Sequence, residues 1–442
     1  VNAPASPPPA PTLAEATRVW LKLGLLGFGG PAGQIALTHR LVVDENRWLS
    51  EAQFLHALNF CMLLPGPEAQ QLAIYAGWLL HGWRGGLLAG TLFVLPGFFV
   101  ILALSALYVA FAGMAWLPTL FLGLKAAVLA LVLEALLKVA RRALRAPLLY
   151  VIAAAAFVAI WLFGVPFPLI VLGAALLGAA LAQLAPALLA VAATAATRPT
   201  GDGPRLGATL RTAGLGLALW LGPVLLLWLA LGGGHVLTQM ALFFSKMAVV
   251  TFGGAYAVLA WVAQAAVQDF AWLAPGQMVD GLALAETTPG PLILVLTFVG
   301  FVGAWQTADG LAPWLAGPAA AVIVTWVTFA PCFLWIFLGA PYVERLRGRP
   351  SLDGALAAIT AAVVGVILNL ALWFALHVVF AQLAEHRLGP LRSLVPVWAS
   401  LDALALALAV LALVCLFGTR LGMIRTLLLC GLAGAGLRAL GL

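Results

Sequence analysis

Charge is scarce in this chain. Asp, Glu, Lys and Arg make up 8% of its 442 residues, against about a quarter in soluble domains, which excludes an ordinary water-soluble fold. Cysteine is scarce too. Cys61, Cys332, Cys415 and Cys430 lie in apolar runs with no CxxC spacing and no histidine partner, so neither a disulfide framework nor a metal site is indicated. There is no P-loop, HExxH, GxSxG or dinucleotide fingerprint, which argues against a self-powered ATPase pump and against a hydrolase, and no cofactor is expected. Short segments of alternating polarity are missing as well, which argues against a β-barrel.

The net charge is +7. In a soluble protein that would suggest nucleic acid. Here the basic residues sit in loops beside apolar runs, where they mark orientation, and no nucleic-acid partner is expected. The opening residues are Pro-rich and read as a disordered tail over 1–16 without a secretory signal.

Apolar sequence is what the chain does have: 64% of its residues are hydrophobic. Thirteen apolar spans lie near 17–37, 54–82, 85–113, 116–140, 148–164, 167–194, 207–232, 238–262, 277–305, 313–340, 353–382, 396–417 and 422–440. Each approaches or exceeds the length that crosses a hydrocarbon core about 30 Å thick, and in lipid such runs must be helices. The fold class is therefore an all-α polytopic membrane protein. With the N-terminus inside and one crossing per span, thirteen basic residues fall in cytoplasmic loops. Five, Arg40, Arg47, Arg387, Arg392 and Arg438, fall outside. A re-entrant span would change the count without spoiling this bias. The expected location is an inner membrane, with a cytoplasmic N-terminus and lipid all around.

The chain also repeats itself. A shift of 224 residues places Lys22 on Lys246, Phe28-Gly29-Gly30 on Phe252-Gly253-Gly254, Trp48-Leu49 on Trp272-Leu273, Gln53 on Gln277 and Pro65-Gly66-Pro67 on Pro289-Gly290-Pro291. Six spans form each copy, over 17–194 and 236–442. The stretch 195–235 supplies a linker and one extra crossing helix, so the second copy is expected to be inverted.

The PGP motifs interrupt apolar spans, and two prolines around a glycine should break a helix. A new half-helix would start at the second proline, and its free N–H groups and positive dipole end suit an anion. A mere kink is the alternative. Gly29, Gly30, Gly253 and Gly254 could unwind their helices and face the PGP breaks, or could be close-packing surfaces. Lys22 and Lys246 could balance an anion's charge or snorkel to the interface.

Glu68 follows the first PGP, and Glu286 precedes the second. The two are not equivalent under the shift. A carboxylate in an apolar cavity can carry a coupling proton, although Glu68 could simply cap its half-helix. Thr287 and Thr288 could donate hydroxyl hydrogen bonds to an oxyanion, as could Asn59 and Gln70. Lys125 lies mid-span without a repeat partner, and Glu134 is too far along its helix to pair with it. Arg40 and Arg47 could recruit an anion, or Arg47 could anchor its loop to Asp44 or Glu51.

With these motifs in hand, the chain resembles the chromate ion transporter family in its long, two-domain form. The resemblance rests on Phe28-Gly29-Gly30-Pro31, Trp48-Leu49-Ser50-Glu51, Pro65-Gly66-Pro67, Leu95-Pro96-Gly97, Phe252-Gly253-Gly254 and Thr288-Pro289-Gly290-Pro291. It implies a secondary transporter that exports chromate and confers resistance. The driving force would be the membrane potential, a proton gradient or exchange with sulfate, an anion of the same shape and charge. A channel-like conductor of small anions is the alternative. An enzyme is not expected, and base rates make a homodimer a plausible assembly.

Overall fold

The computed structural model describes residues 11–114, 116–189, 206–252, 255–307, 309–342, 350–389, 391–419 and 421–439. Its elements start where the sequence supplies caps. Thr12 and Glu15 form a capping box at α1 (Leu13–Leu26), and Ser50 and Gln53 form another at α3 (Glu51–Cys61). Between them lie α2 (Gly30–His39) and a π turn, Arg40–Glu45. The long α4 (Glu68–Ala110) is two limbs, 68–80 and 83–110, separated by non-helical backbone at His81 and Gly82. A β-carbon at Gly77 would collide with the Gly85 carbonyl, so the limbs double back in close contact. Then follow α5 (Trp116–Ala143), α6 (Pro147–Trp161), α7 (Phe167–Leu184) and α8 (Leu206–Leu231).

The second half runs α9 (Val236–Val250), α10 (Ala255–Gln264), a π turn Ala265–Asp269, α11 (Pro275–Thr287), a 3-10 turn Leu292–Leu294 and α12 (Val295–Thr307). It continues through α13 (Pro313–Gly339), α14 (Pro350–Val379), a β-hairpin, α15 (Ala403–Leu413) and α16 (Met423–Ala439). The order of the first half returns. So do its fine details at the same 224-residue offset: a π turn after the second helix, and left-handed backbone at Arg47 (φ 52°) and Ala271 (φ 51°).

Each of the thirteen expected spans contains helix among the described residues. Four of them, the two that open each half, are broken and return to the face they came from. The limb 30–45 is about 24 Å long at 1.5 Å per residue, yet Trp48 lies against Trp20, with ring centroids 6.1 Å apart. Only a chain that turns back at residues 27–29 can do this. The pair α3 and 68–80 also returns, since His81 Nε2 reaches the Pro11 carbonyl at 2.8 Å. In the second half Phe244 and Trp272 repeat the first contact at 5.9 Å. Asp309, beyond α12, accepts from the Val236 N–H at the start of α9. The segment with Arg40 and Arg47 therefore lies on the same face as the N-terminus, not on the opposite face as single crossings require.

The unbroken helices, among them limb 83–110, pack against the broken ones. α5 and α14 are central, packing against α16 and α7 respectively, and the apolar windows of both are 61% buried. By contrast 11% of the window of α8 is buried, so this connecting helix faces lipid. It is pinned to α13 by reciprocal indoles: Trp220 Nε1 donates to the Val327 carbonyl and Trp326 Nε1 to the Leu219 carbonyl. The hairpin, β1 (Leu383–Leu388) and β2 (Leu391–Pro396), has no counterpart between α5 and α6. It docks on the α6–α7 turn, where the Arg392 N–H donates to the Leu162 carbonyl at 2.7 Å.

Candidate functional site

The four breaks meet, each with a break of the opposite half. The Gly290 N–H, in the second PGP, donates to the Gly27 carbonyl just before the first FGG at 3.0 Å. The Gly66 N–H, in the first PGP, donates to the Thr251 carbonyl just before the second FGG at 2.7 Å. Gly27 and Thr251 are equivalent under the repeat, as are Gly66 and Gly290, so the two bonds are one contact made twice. Both glycines have positive φ, 121° at Gly66 and 98° at Gly290, which a side chain would strain. The unbroken helices wedge the crossing. Gly97 lies against Pro289 and Gly290 with no room for a β-carbon, and Cys332 sits beside Gly66.

Gln34 closes one side of the crossing. It is 1% exposed, and its Nε2 donates to the Gly27 carbonyl at 3.1 Å and the Gly290 carbonyl at 2.6 Å. Its repeat counterpart is Val258, so this brace exists once. Gln34→Leu leaves the Gly290 oxygen buried without its donor, a loss of about 1–3 kcal/mol. We expect thermal unfolding in detergent to fall measurably; an unchanged midpoint would show that the brace is dispensable.

The half-helices start as the prolines dictate. Pro67 is the N-cap of α4, and the first helical bond runs from the Gln71 N–H to the Pro67 carbonyl at 3.0 Å. Among the described residues the N–H groups of Glu68, Ala69 and Gln70 find no acceptor. Pro291 caps the 3-10 turn ahead of α12, with the Leu294 N–H bonded to the Pro291 carbonyl at 2.9 Å. These donors have the character of an anion site. Glu68 is half-buried, with no ion-pair or hydrogen-bond partner among the described residues. Glu286 is 4% exposed and accepts from the Tyr256 hydroxyl at 2.7 Å. Tyr256 in turn lies beside Gly30.

Other candidates are placed differently. Thr287 and Thr288 donate their hydroxyl protons to the Leu284 and Ala285 carbonyls, which fastens the end of α11 rather than offering those protons to an anion. Lys22 reaches Glu45 at 3.3 Å and Arg40 the same carboxylate at 3.4 Å, all partly exposed. Lys246 is exposed. Asp44 and Glu51 are taken by His39, at 3.3 and 2.6 Å, and no ion pair of Arg47 occurs among the described residues. Gly253 and Gly254 lie outside the described residues.

Two features escaped sequence reasoning. Lys125 pairs with Asp280 at 2.9 Å, and Asp280 also accepts from the Tyr108 hydroxyl at 2.8 Å. This ties α5 and the limb 83–110 of the first half to α11 of the second. Arg425, one of the thirteen basic residues counted in cytoplasmic loops, lines a cavity of about 410 Å³ with Phe28, Gly29 and the first turn of α16. Among the described residues no group of three or more His, Cys, Asp or Glu could hold a metal.

The sequence matches the chromate transporter family over residues 14–179 and 238–435, most of both halves. The chain belongs to the chromate transporter family. It is 34% identical to the chromate transport protein of Pseudomonas aeruginosa, covering 81% of this chain and 80% of that one. It is 30% identical to the chromate transport protein of Cupriavidus metallidurans, over 82% and 84%. A probable chromate transport protein of Synechococcus elongatus is 29% identical over 81% and 84%. No solved structure matches. In this transporter the two matched segments lie one in each half, and all four breaks fall inside them.

Proposed function

We propose that this chromate transporter exports chromate from the cytoplasm, and that the oxyanion is held where the broken helices meet. The observation that carries the reading is the reciprocal pair of backbone bonds, Gly290 to Gly27 and Gly66 to Thr251. They bring two half-helix N-termini, one from each face, to a common crossing, and irregular backbone at membrane depth is tolerated where it lines a binding cavity. Arg40, Arg47 and Arg425 supply positive charge at its approaches.

The N-terminal face is the cytoplasmic one. Arg40, Arg47, Arg84, Lys138, Arg141, Arg142, Arg145 and Arg211 lie at helix ends and turns on that face, while the far face has Arg387 and Arg392 in its hairpin. The halves, 17–194 and 236–442, rock against one another about the crossing to expose it alternately. Glu68, which makes no ion pair among the described residues, carries the coupling proton, and the buried Glu286 is the second candidate.

Chromate uptake into inverted membrane vesicles tests this. Uptake should be saturable, should appear on energisation and should vanish with an uncoupler. Inserted protein that takes up no chromate under any gradient removes chromate as the cargo; flux that never saturates points to a channel instead.

A further inference from the structure

The two PGP breaks make the same backbone contact but differ in chemistry. At the second, Leu292, Ile293 and Leu294 are all buried, and they close the half-helix start with apolar side chains. At the first, the same positions hold Glu68, Ala69 and Gln70, followed by Gln71. Gln70 is fully buried, yet among the described residues neither its Oε1 nor its Nε2 has a hydrogen-bond partner. Gln71 donates its Nε2 to the Pro65 carbonyl at 2.7 Å, and its Oε1 is left without a partner.

The reason lies in the helix cap. A glutamine at the third position of a helix ordinarily reaches back to the N–H of the N-cap residue. Gln53 does so with the Ser50 N–H, and Gln277 with the Ala274 N–H, both at 2.9 Å. Gln70 occupies that position in α4, but its N-cap is Pro67, which has no N–H to offer. A buried amide with no partner is costly and rare in a protein interior and calls for a specific explanation. The same first turn carries the N–H groups of Glu68, Ala69 and Gln70, which find no acceptor among the described residues. The Nε2 of Gln70 adds a fourth donor of the kind a tetrahedral oxyanion takes.

We propose that each chain binds a single oxyanion, at the first break, with Gln70 as the side chain that recognises it; the second break is a structural counterpart that binds none. This rests on the reading of the breaks as an oxyanion site and assigns that site to one half. It also divides the labour unequally: both breaks serve the fold, through the Gly66–Thr251 and Gly290–Gly27 bonds, and the first serves the ligand as well.

Equilibrium binding of chromate to detergent-purified full-length protein, with sulfate as a second probe, decides the matter. We expect one chromate per chain. Gln70→Leu should weaken binding at least tenfold while holding or raising the unfolding temperature, because it removes an unanswered buried amide. A merely structural glutamine would instead lower that temperature and spare affinity. Leu294→Gln should leave affinity unchanged. Two chromates per chain, unaltered affinity in Gln70→Leu, or no binding at all overturns the inference. A protein that binds one chromate with these dependences but carries none into vesicles overturns the transport reading and leaves this one standing.

Discussion

Replacing the first break with alanines (Pro65→Ala, Gly66→Ala, Pro67→Ala) is expected to abolish chromate uptake and leave a full-length, inserted protein. The argument is one of hydrogen-bond register. With both prolines gone and the left-handed Gly66 (φ 121°) replaced, nothing prevents α3 from running on into α4. The N–H groups of Glu68, Ala69 and Gln70 would then bond to the carbonyls four residues back, as in any helix interior. The donors that face the crossing would be consumed, and the Gly66 bond to Thr251 lost with them. A hydrogen bond to a charged group contributes about 1.5–3 kcal/mol, so losing even two such donors weakens the anion's hold by a hundredfold or more. Energised uptake into inverted vesicles, normalised to inserted protein, measures it. Uptake within a factor of two of the parent would show that the break is only a kink.

The second large effect concerns the Lys125–Asp280–Tyr108 group. The Lys125 side chain is 22% exposed and that of Asp280 11%; removing one member of such a largely buried pair leaves the other charge uncompensated, at up to about 3–5 kcal/mol, whereas removing both charges can be nearly neutral. Lys125→Met and Asp280→Asn should each lower the unfolding midpoint of the detergent-solubilised protein strongly. Lys125→Met/Asp280→Asn should recover most of the loss, since a neutral amide at 280 still accepts from the Tyr108 hydroxyl. Such a cycle isolates the coupling between the two side chains. Additive losses in the double variant would mean that the pair, although 2.9 Å apart, contributes nothing as a pair.

The breaks themselves were legible in the sequence because proline and glycine act locally: two prolines around a glycine stop a helix wherever they stand. The repeat was legible because Lys, FGG, WL and PGP in register stand out against a background of alanine and leucine. What the limbs do after the break was not legible. Span 17–37 has the length of one crossing, and nothing in its composition distinguishes a helix that continues from one that turns back. That choice is made by contacts distant in sequence, Trp20 on Trp48 and His81 on Pro11. The sidedness of Arg40 and Arg47 followed from the same choice. Lys125 read as a charge without a partner because its carboxylate lies on α11, in the other half. Gln70 read as one weak candidate among several, since its isolation depends on the identity of its N-cap and on burial.

The reciprocal backbone bonds also set a timetable for the making of the protein. A chain enters the membrane from its N-terminus. When the first half has been inserted, Gly27 has a carbonyl and Gly66 an N–H whose partners, Gly290 and Thr251, have yet to be synthesised. In hydrocarbon an unmatched peptide group is expensive. The newborn first half must therefore keep these groups near water, or shield them with a helper protein, until the chain has been translated on to Thr251 and Gly290. The fold closes only when the second half supplies Thr251 and Gly290, so completion of the centre is a late event that the first half alone cannot perform.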